Sequence, residues 1–228
     1  MIPRSIAFRN PRRGMAGQST VEFIIAAPVA LFLILCIIQL VLLYRAKSTL
    51  DFATLEAARA GAVHGAKMGE IKQGLAEGLT PLFATQASLG GVATAFGKAK
   101  LEVLNPLYTE VKIISPTAAM VNEHRERQYN GRYALPNDNL AFRSARIGRT
   151  GVNVQDANIL KIKVTYHYPL VVPFVGWVIK GSSELIRRSN PLDRVSLRPD
   201  PLGGHDRLAI ESYAIVRMQS PIYSGTLR

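Results

Sequence analysis

The N-terminal part of the chain is dominated by one continuous apolar run. It extends from Phe23 to Leu43, carries no formal charge, and contains a single strongly polar residue, Gln39. A helix needs about 20 such residues to cross about 30 Å of hydrocarbon. The run therefore predicts a membrane-spanning helix, in which Pro28 removes one helical hydrogen bond and favours a kink near its start.

Beyond Leu43, small and apolar residues keep a helical spacing until Pro81, so the span and this segment are expected to form one long helix. Small side chains recur every four residues and mark a face that another backbone can approach closely. Three interpretations of this face are open. It packs against a second subunit, it packs against the protein's own sheet, or it belongs to a frayed helix end, and the sequence does not distinguish between them. The helix-packing positions are Ala53, Ala57, Gly61 and Gly65, with Gly69 one step further.

Alternating patterns in the rest of the chain predict strands. The clearest alternation runs from Leu160 to His167, and another runs from Leu208 to Met218. Shorter strands are predicted at 101–103 and 111–113, on either side of a turn at Asn105. The predicted fold class is α+β: a long N-terminal transmembrane helix continues into a periplasmic helix that packs on a small, mostly antiparallel β-sheet.

Two stretches do not fit the strand pattern. Residues 122–153 contain six arginines with Asn, Pro and Gly between them, which is typical of a long exposed loop. Such a loop forms a contact surface or is a solvated excursion with no partner, and the second reading is slightly favoured. The apolar stretch from Pro169 to Ile179 is too short for a second span, so a buried connection is expected, with a membrane-resting or subunit-binding patch as the alternative.

Charge gives the orientation of the predicted span. The residues before it include Arg4, Arg9, Arg12 and Arg13 and no acidic residue, which favours a cytoplasmic N-terminus. The head then lies outside the cytoplasmic membrane, and the only cysteine, Cys36, lies within the span. A cleaved signal peptide is the rival interpretation, but its apolar core is usually shorter, about 7 to 15 residues.

The net charge of the chain is +12, and four arginines of residues 1–17 contribute to it, which leaves 12 − 4 = +8 for the remainder. A basic exported surface suits anionic lipid, acidic polysaccharide or an acidic partner. Because the head is expected to be exported, we expect no nucleic acid partner.

The sequence offers little support for catalysis or cofactor binding. It has no C-x-x-C pair, no phosphate-binding glycine motif and no G-x-S-x-G elbow. We therefore expect no catalytic residues, no metal and no cofactor. The histidines are scattered without the spacing of a zinc site: His64, His124, His167 and His205.

The N-terminal residues resemble those of TadE-like minor pseudopilins of the tight-adherence (Flp) pilus, which is related to type IV pili and type II secretion systems. The resemblance rests on basic Arg12 and Arg13, the stretch Gly17 to Phe23, Pro28 within the apolar helix, and the small-residue helix at 57–59. A weaker similarity lies in the strand 164–169. The resemblance covers about the first 65 residues, and the rest only in general architecture.

The resemblance implies that a prepilin peptidase cleaves after Gly17, which makes Gln18 the new N-terminus and Glu22 the fifth residue. Glu22 could then pair with the terminal ammonium of a neighbouring helix and set its register, or interact with Gln18 in its own helix. The plain alternative is an interfacial carboxylate at a helix start, favoured by the helix dipole. Phe23 stands where major Flp pilins commonly have Tyr, which together with the chain length implies a minor subunit.

These inferences divide the chain into a basic cytoplasmic leader at 1–17, a transmembrane helix at 18–44, and an exported α+β domain at 45–228 with a basic loop around 122–153. The expected assembly positions are Glu22, Phe23 and Pro28. The expected partners are the prepilin peptidase, other pilins or pseudopilins, the inner-membrane assembly platform and membrane lipid. The alternative is an unprocessed single-pass inner-membrane scaffold or surface-binding protein with a periplasmic head.

Overall fold

The fold consists of one very long helix, two further helices beside it, and an antiparallel sheet. The computed structural model describes residues 18–172, 175–176, 178–179, 181, 197–200, 204 and 206–227. In this part of the chain the helices are α1 (Gln18–Val63), α2 (Met68–Phe83), α3 (Leu89–Leu104), α4 (Ala118–His124) and α5 (Val154–Ala157), with a 3-10 turn at Leu140–Phe142. The strands are β1 (Thr109–Ser115), β2 (Glu126–Arg127), β3 (Tyr133–Leu135), β4 (Ile159–Pro169), β5 (Leu197–Pro199), β6 (Asp206–Arg217) and β7 (Ile222–Tyr223).

Helix α1 confirms that the apolar run and the segment after it form one helix. Its 46 residues make it about 69 Å long at the usual rise of 1.5 Å per residue. The prediction that this helix extends to Pro81 is wrong, because α1 ends at Val63. Gly65 and Ala66 take positive φ values of 67° and 59° and reverse the chain, and the N–H of Gly65 donates to the Ser220 hydroxyl.

Helix α2 runs back along α1, so the two form an antiparallel helical hairpin. Arg45, which follows the apolar run of α1 and lies 18 residues before its end, donates a hydrogen bond to the carbonyl of Pro81 near the end of α2. Proline is therefore accommodated inside α2 rather than ending a continuous helix.

The predicted strand at 101–103 is also wrong, since these residues belong to α3. The Ser88 side chain caps this helix by accepting from the N–H of Gly91. The buried residues of α3 are Ala95, Ala99 and Val103, which recur every four residues. The helical spacing therefore outweighs the short alternation of Leu101 and Val103, which predicted a strand.

The other strand predictions are confirmed in a four-stranded sheet of order β1-β4-β6-β5, in which every neighbouring pair is antiparallel. In β4 the alternate residues from Leu160 to Tyr166 are buried, and Leu160 pairs with Val216 of β6. The basic stretch 122–153 is only partly loop, because it supplies two strands of a second, three-stranded sheet of order β2-β3-β7. The α+β fold class is thus confirmed.

The core lies where the upper half of α1 meets α2 and the sheet. Leu50, Ala53 and Ala57 of α1 are fully buried, and α2 presents Gly74 and Gly78 to them. A Cβ added at Gly78 would lie 2.5 Å from the Cα of Ala53. The small residues of α1 therefore allow backbone-to-backbone contact within this chain.

Two of the remaining small-residue positions, Gly61 and Gly65, also face the same chain, and Gly69 does not. A Cβ at Gly61 would lie 2.7 Å from Cγ1 of Ile71 and 3.1 Å from Cδ2 of Leu160, and one at Gly65 would lie 2.9 Å from the carbonyl oxygen of Pro221. Gly65 is in the turn after α1, and Gly69 lies on α2 with nothing within 4 Å of an added Cβ. The stripe seen in the sequence is therefore divided between α1, the turn and α2.

This packing predicts opposite effects for two glycine-to-alanine changes in helices. Gly78→Ala should lower the free energy of unfolding by about 1 to 3 kcal/mol, because its Cβ overlaps the α1 backbone. Gly97→Ala in α3 is the matched control, since nothing lies within 4 Å of its added Cβ, and it should raise stability by about 0.5 to 1 kcal/mol. Calorimetric unfolding of the full chain in detergent micelles measures both, and a common direction of change would contradict the packing described.

Candidate membrane anchor and assembly face

The first half of α1 has the properties of a membrane anchor. The helix is long and apolar enough to span a membrane, and only 6 % of its most apolar 18-residue window is buried within the protein. A core helix of similar composition would be mostly buried. Large apolar side chains instead point outward all round it, such as Ile24, Leu31 and Ile37, which are 64 %, 59 % and 60 % exposed.

The predicted assembly residues lie at the beginning of this helix. Gln18 is the first residue of α1, whereas Gly17 lies outside the described residues. Glu22 borders a shallow groove along one helix face, and Phe23 is 70 % exposed on the neighbouring surface. Pro28 lies within α1, which continues through it.

The groove beside Glu22 follows helical spacing. Its other lining residues are Ile25, Ala26, Val29, Ala30 and Leu33. The two alanines lie four and eight residues after Glu22, so small side chains occupy the face directly above the carboxylate. A second helix can approach this face closely and reach the carboxylate.

The structure does not bring the assembly positions together with the helix-packing positions. Glu22 and Ala53 belong to the same helix but are 31 residues apart, which corresponds to about 46 Å. The lower face is open along α1, whereas the upper face is filled by α2 and the sheet. The two sets therefore serve different contacts.

Polar groups mark the level at which the anchor meets the head. Lys47 forms an ion pair of 2.5 Å with Asp51 and donates to the carbonyl of Glu211 at 2.8 Å. Arg45 contacts the end of α2 as described. This level follows directly after Leu43, where the apolar run ends.

A buried charge cluster ties α3 to the sheet, and sequence reasoning missed it. Arg207 donates through Nη1 and Nη2 to the Glu102 carboxylate at 2.9 and 3.1 Å, and through Nε to Asp200 at 2.9 Å. Its guanidinium carbon lies 3.8 Å from the centre of the Tyr108 ring. Burial alone would lower the pKa of Arg207, but the hydrogen bonds with Glu102 and Asp200 outweigh it and raise that pKa.

No sequence pattern predicts this cluster, because Glu102 and Arg207 are 105 residues apart. The one local signal is a charged residue within the otherwise apolar stretch 101–104. The cluster is fully paired and lies against neighbouring side chains, including Tyr166, whose pKa burial raises. Its geometry indicates a structural role, in which the charged groups hold α3 against the sheet.

The three described histidines each contact a backbone carbonyl. His64, His124 and His167 face the carbonyls of Ala60, Val152 and Tyr108, respectively, and His205 lies outside the described residues. Within the described ranges, no group of three or more His, Cys, Asp or Glu side chains could hold a metal ion.

The basic stretch forms a lobe at the far end of the head. Its acidic residues hold part of it in place: Arg143 pairs with Glu126 at 2.6 Å and with Asp138 at 3.1 Å. Glu123 accepts hydrogen bonds from the Thr150 hydroxyl and from the backbone N–H groups of Thr150 and Arg149. The Thr150 hydroxyl is the main cause that lowers the pKa of Glu123 to about 2, and the two N–H groups add to it against the opposing effect of burial.

Taken together, the fold and the anchor define a class: a protein with one N-terminal helix fit to span a membrane and an α+β head built on the same helix. Within that class, residues 17–59 match the family model described as TadE-like protein. The anchor and the adjoining part of α1 are therefore similar to TadE-like proteins, and the match does not extend to the rest of the head. No curated protein and no solved structure matches the chain significantly.

The Glu123 contacts predict a pH dependence of the lobe. In the folded protein the carboxylate stays charged down to about pH 2, whereas in the unfolded chain it protonates near its ordinary value of 4.5. Its contribution to stability is therefore complete above about pH 4.5 and is lost as the pH falls through about 2.

Carbon-detected NMR titration of labelled glutamate in the full chain measures this pKa. Thr150→Val removes the hydroxyl and should raise the pKa of Glu123 toward 4.5. A pKa near 4.5 in the unchanged protein would contradict the assigned hydrogen bonds.

Proposed function

We propose that the chain is a minor pseudopilin-like subunit of a tight-adherence (Flp, type IVb-like) pilus, and that it acts in the assembly or tip structure of the fibre and so supports surface attachment. The observation that carries this proposal is the TadE-like match, which begins at Gly17 and includes Glu22. The role is structural and not enzymatic. Its partners are other pilins or pseudopilins and the inner-membrane assembly platform.

In this proposal the chain first resides in the bacterial inner membrane with its N-terminus in the cytoplasm and its head in the periplasm. The arginines before the span support this orientation. A prepilin peptidase cuts after Gly17 on the cytoplasmic side and leaves α1 in the membrane. Gln18, the first residue of α1, then becomes the terminus of the mature subunit.

The groove beside Glu22 supports a role in assembly. A neighbouring subunit can place its helix over Ala26 and Ala30 and present its terminal ammonium to the Glu22 carboxylate. Desolvation offsets much of the attraction of such a pair in lipid, so the pair mainly selects register. Register selection is what an ordered fibre needs from each added subunit.

The alternative is a single-pass scaffold that keeps its leader and does not join a fibre. The fully formed head, whose core depends on the upper half of α1, is compatible with this role. The two functions differ in whether Gly17 is cleaved and whether Glu22 is needed.

The cleavage prediction is tested by the intact mass of the membrane-purified protein. We expect a mature chain that begins at Gln18 in cells with the prepilin peptidase and the full precursor in cells without it. Gly17→Leu should block cleavage, and Gly14→Leu is the matched control that should leave it intact. An unprocessed chain in both strains would contradict the proposal and favour the scaffold.

The assembly prediction separates Glu22 from a carboxylate on the same helix. Glu22→Ala should leave cleavage intact but remove most of the protein from the sheared fibre fraction, because the pairing that selects register is lost. Glu56→Ala changes a partly exposed residue in the head half of α1 and should leave incorporation unchanged. Equal incorporation of both variants would contradict the role of Glu22.

A further inference from the structure

Gln39 is the one strongly polar residue in the apolar run, and the structure shows what it binds. Its side chain is fully buried, although the helix around it is largely exposed. The Oε1 atom accepts a hydrogen bond of 3.0 Å from the backbone N–H of Val172. Val172 follows the end of β4 at Pro169, so the chain leaving the sheet runs down along α1 as far as Gln39.

The position of Gln39 sets the depth of this contact. From Phe23 to Leu43 the helix rises by about 30 Å, which matches the thickness of the hydrocarbon. Gln39 is four residues before Leu43, so it lies about 6 Å inside that boundary. Val172 is bonded to it and therefore lies at membrane depth as well.

The length of β4 agrees with this depth. Near the top of the head, the N–H of Gln219 donates to the Ala62 carbonyl and the N–H of Met218 donates to the Asn158 carbonyl. From Ala62 down to Gln39 the helix covers about 34 Å. An extended chain from Asn158 to Val172 covers about 46 Å, so it reaches that level even when inclined to α1.

The surface of the descending segment suits lipid. No residue from Leu170 to Ile179 carries a formal charge. Leu170, Val172 and Val175 are buried, while Val171 is 54 % and Val178 is 38 % exposed. Of the described residues in this segment, some apolar side chains thus face the protein and others lie on its outer surface.

Two backbone N–H groups of the segment are bonded within the protein. Non-helical backbone in hydrocarbon must have its polar groups bonded within the protein. The N–H of Leu170 donates to the Asp206 carbonyl at 2.9 Å, and the N–H of Val172 donates to Gln39. This need explains a glutamine in an otherwise apolar span.

We propose that the described residues of this segment, 170–172, 175–176 and 178–179, are inserted among the lipid acyl chains of the leaflet nearest the head, beside α1, so that the head is held on the membrane at a second place. Arg45, just above the apolar run, would then lie at the level of the lipid headgroups. The proposal rests on the membrane-spanning part of the proposed function and not on cleavage at Gly17. A neighbouring subunit is the competing occupant of this surface.

Nitroxide depth measurements on the full chain, at one protein per lipid nanodisc, test the insertion. Labels are placed at Val171→Cys and Val178→Cys after Cys36→Ser. Ile37→Cys serves as the reference in the span, and Ile147→Cys in the distal lobe, where the side chain is 66 % exposed, serves as the reference in water. We expect labels at 171 and 178 to collide with oxygen in preference to a water-soluble nickel reagent, as the label at 37 does, and the label at 147 to show the reverse.

Two other patterns would overturn the inference. Labels at 171 and 178 that behave like the label at 147 would place the segment in water, and labels shielded from both reagents would place it under protein. In either case a label at 37 in lipid leaves the anchor, and with it the proposed function, standing. A label at 37 exposed to water would overturn both.

Gln39→Leu tests the hydrogen bond that positions the segment. It should increase the collisions of the label at 171 with the nickel reagent several-fold, because the segment loses the hydrogen bond that holds it at this depth. Gln73→Leu, on the exposed surface of α2, is the matched control and should leave those collisions unchanged. Unchanged collisions in Gln39→Leu would contradict the role of Gln39.

Discussion

The structure depends on the close contact between the upper half of α1 and α2. Gly78 packs so closely on Ala53 that a single added carbon would overlap the α1 backbone, and one added at Gly74 would lie 2.9 Å from Cβ of Ala60 and 3.2 Å from Cα of Ala57. Helices in such contact have little freedom to slide, because the gap between them cannot accept another register of side chains. Since the first half of α1 is also the helix that is long and apolar enough to span a membrane, this contact joins the head directly to that half of α1.

The charge cluster fixes α3, which packs on α2, to the sheet. Arg207, Glu102 and Asp200 join α3 to the sheet through paired, buried groups. A buried ion pair of this kind stabilises the fold little more than apolar residues of similar size would. Its geometry, however, excludes other positions of α3 on the sheet. The hydrophobic packing thus supplies most of the stabilisation, and the cluster selects where α3 lies. The fully buried residues of α3 are all small or medium-sized, namely Ala95, Ala99 and Val103, and Phe96 is partly buried beside them.

The sequence was sufficient for the parts of the fold that depend on one periodicity. The alternation from Leu160 onward predicted β4 correctly, and the apolar run predicted the anchor half of α1. The wrong predictions occur where a local sequence pattern is compatible with two different backbone conformations. The small residues beyond Val63 continue a helical spacing, but the end of α1 is decided by backbone reversal at Gly65 and Ala66, and by contacts with residues near 220. Glu102 with Arg207, and Gln39 with Val172, are pairs between distant residues, which no spacing in one sequence encodes.

The extent of the TadE-like match can be understood from the same contacts. It ends at residue 59, which lies beyond the apolar run and beyond Ala53 and Ala57, but before α2. The shared segment therefore contains the span, the Glu22 face and the helical surface on which a head is built, but none of the strands. A helix that offers small side chains at fixed intervals accepts any head that brings glycine or alanine to the same places, as α2 does here. The matched segment thus ends within the part of α1 that makes backbone contact with α2, and the head beyond it is built on that contact.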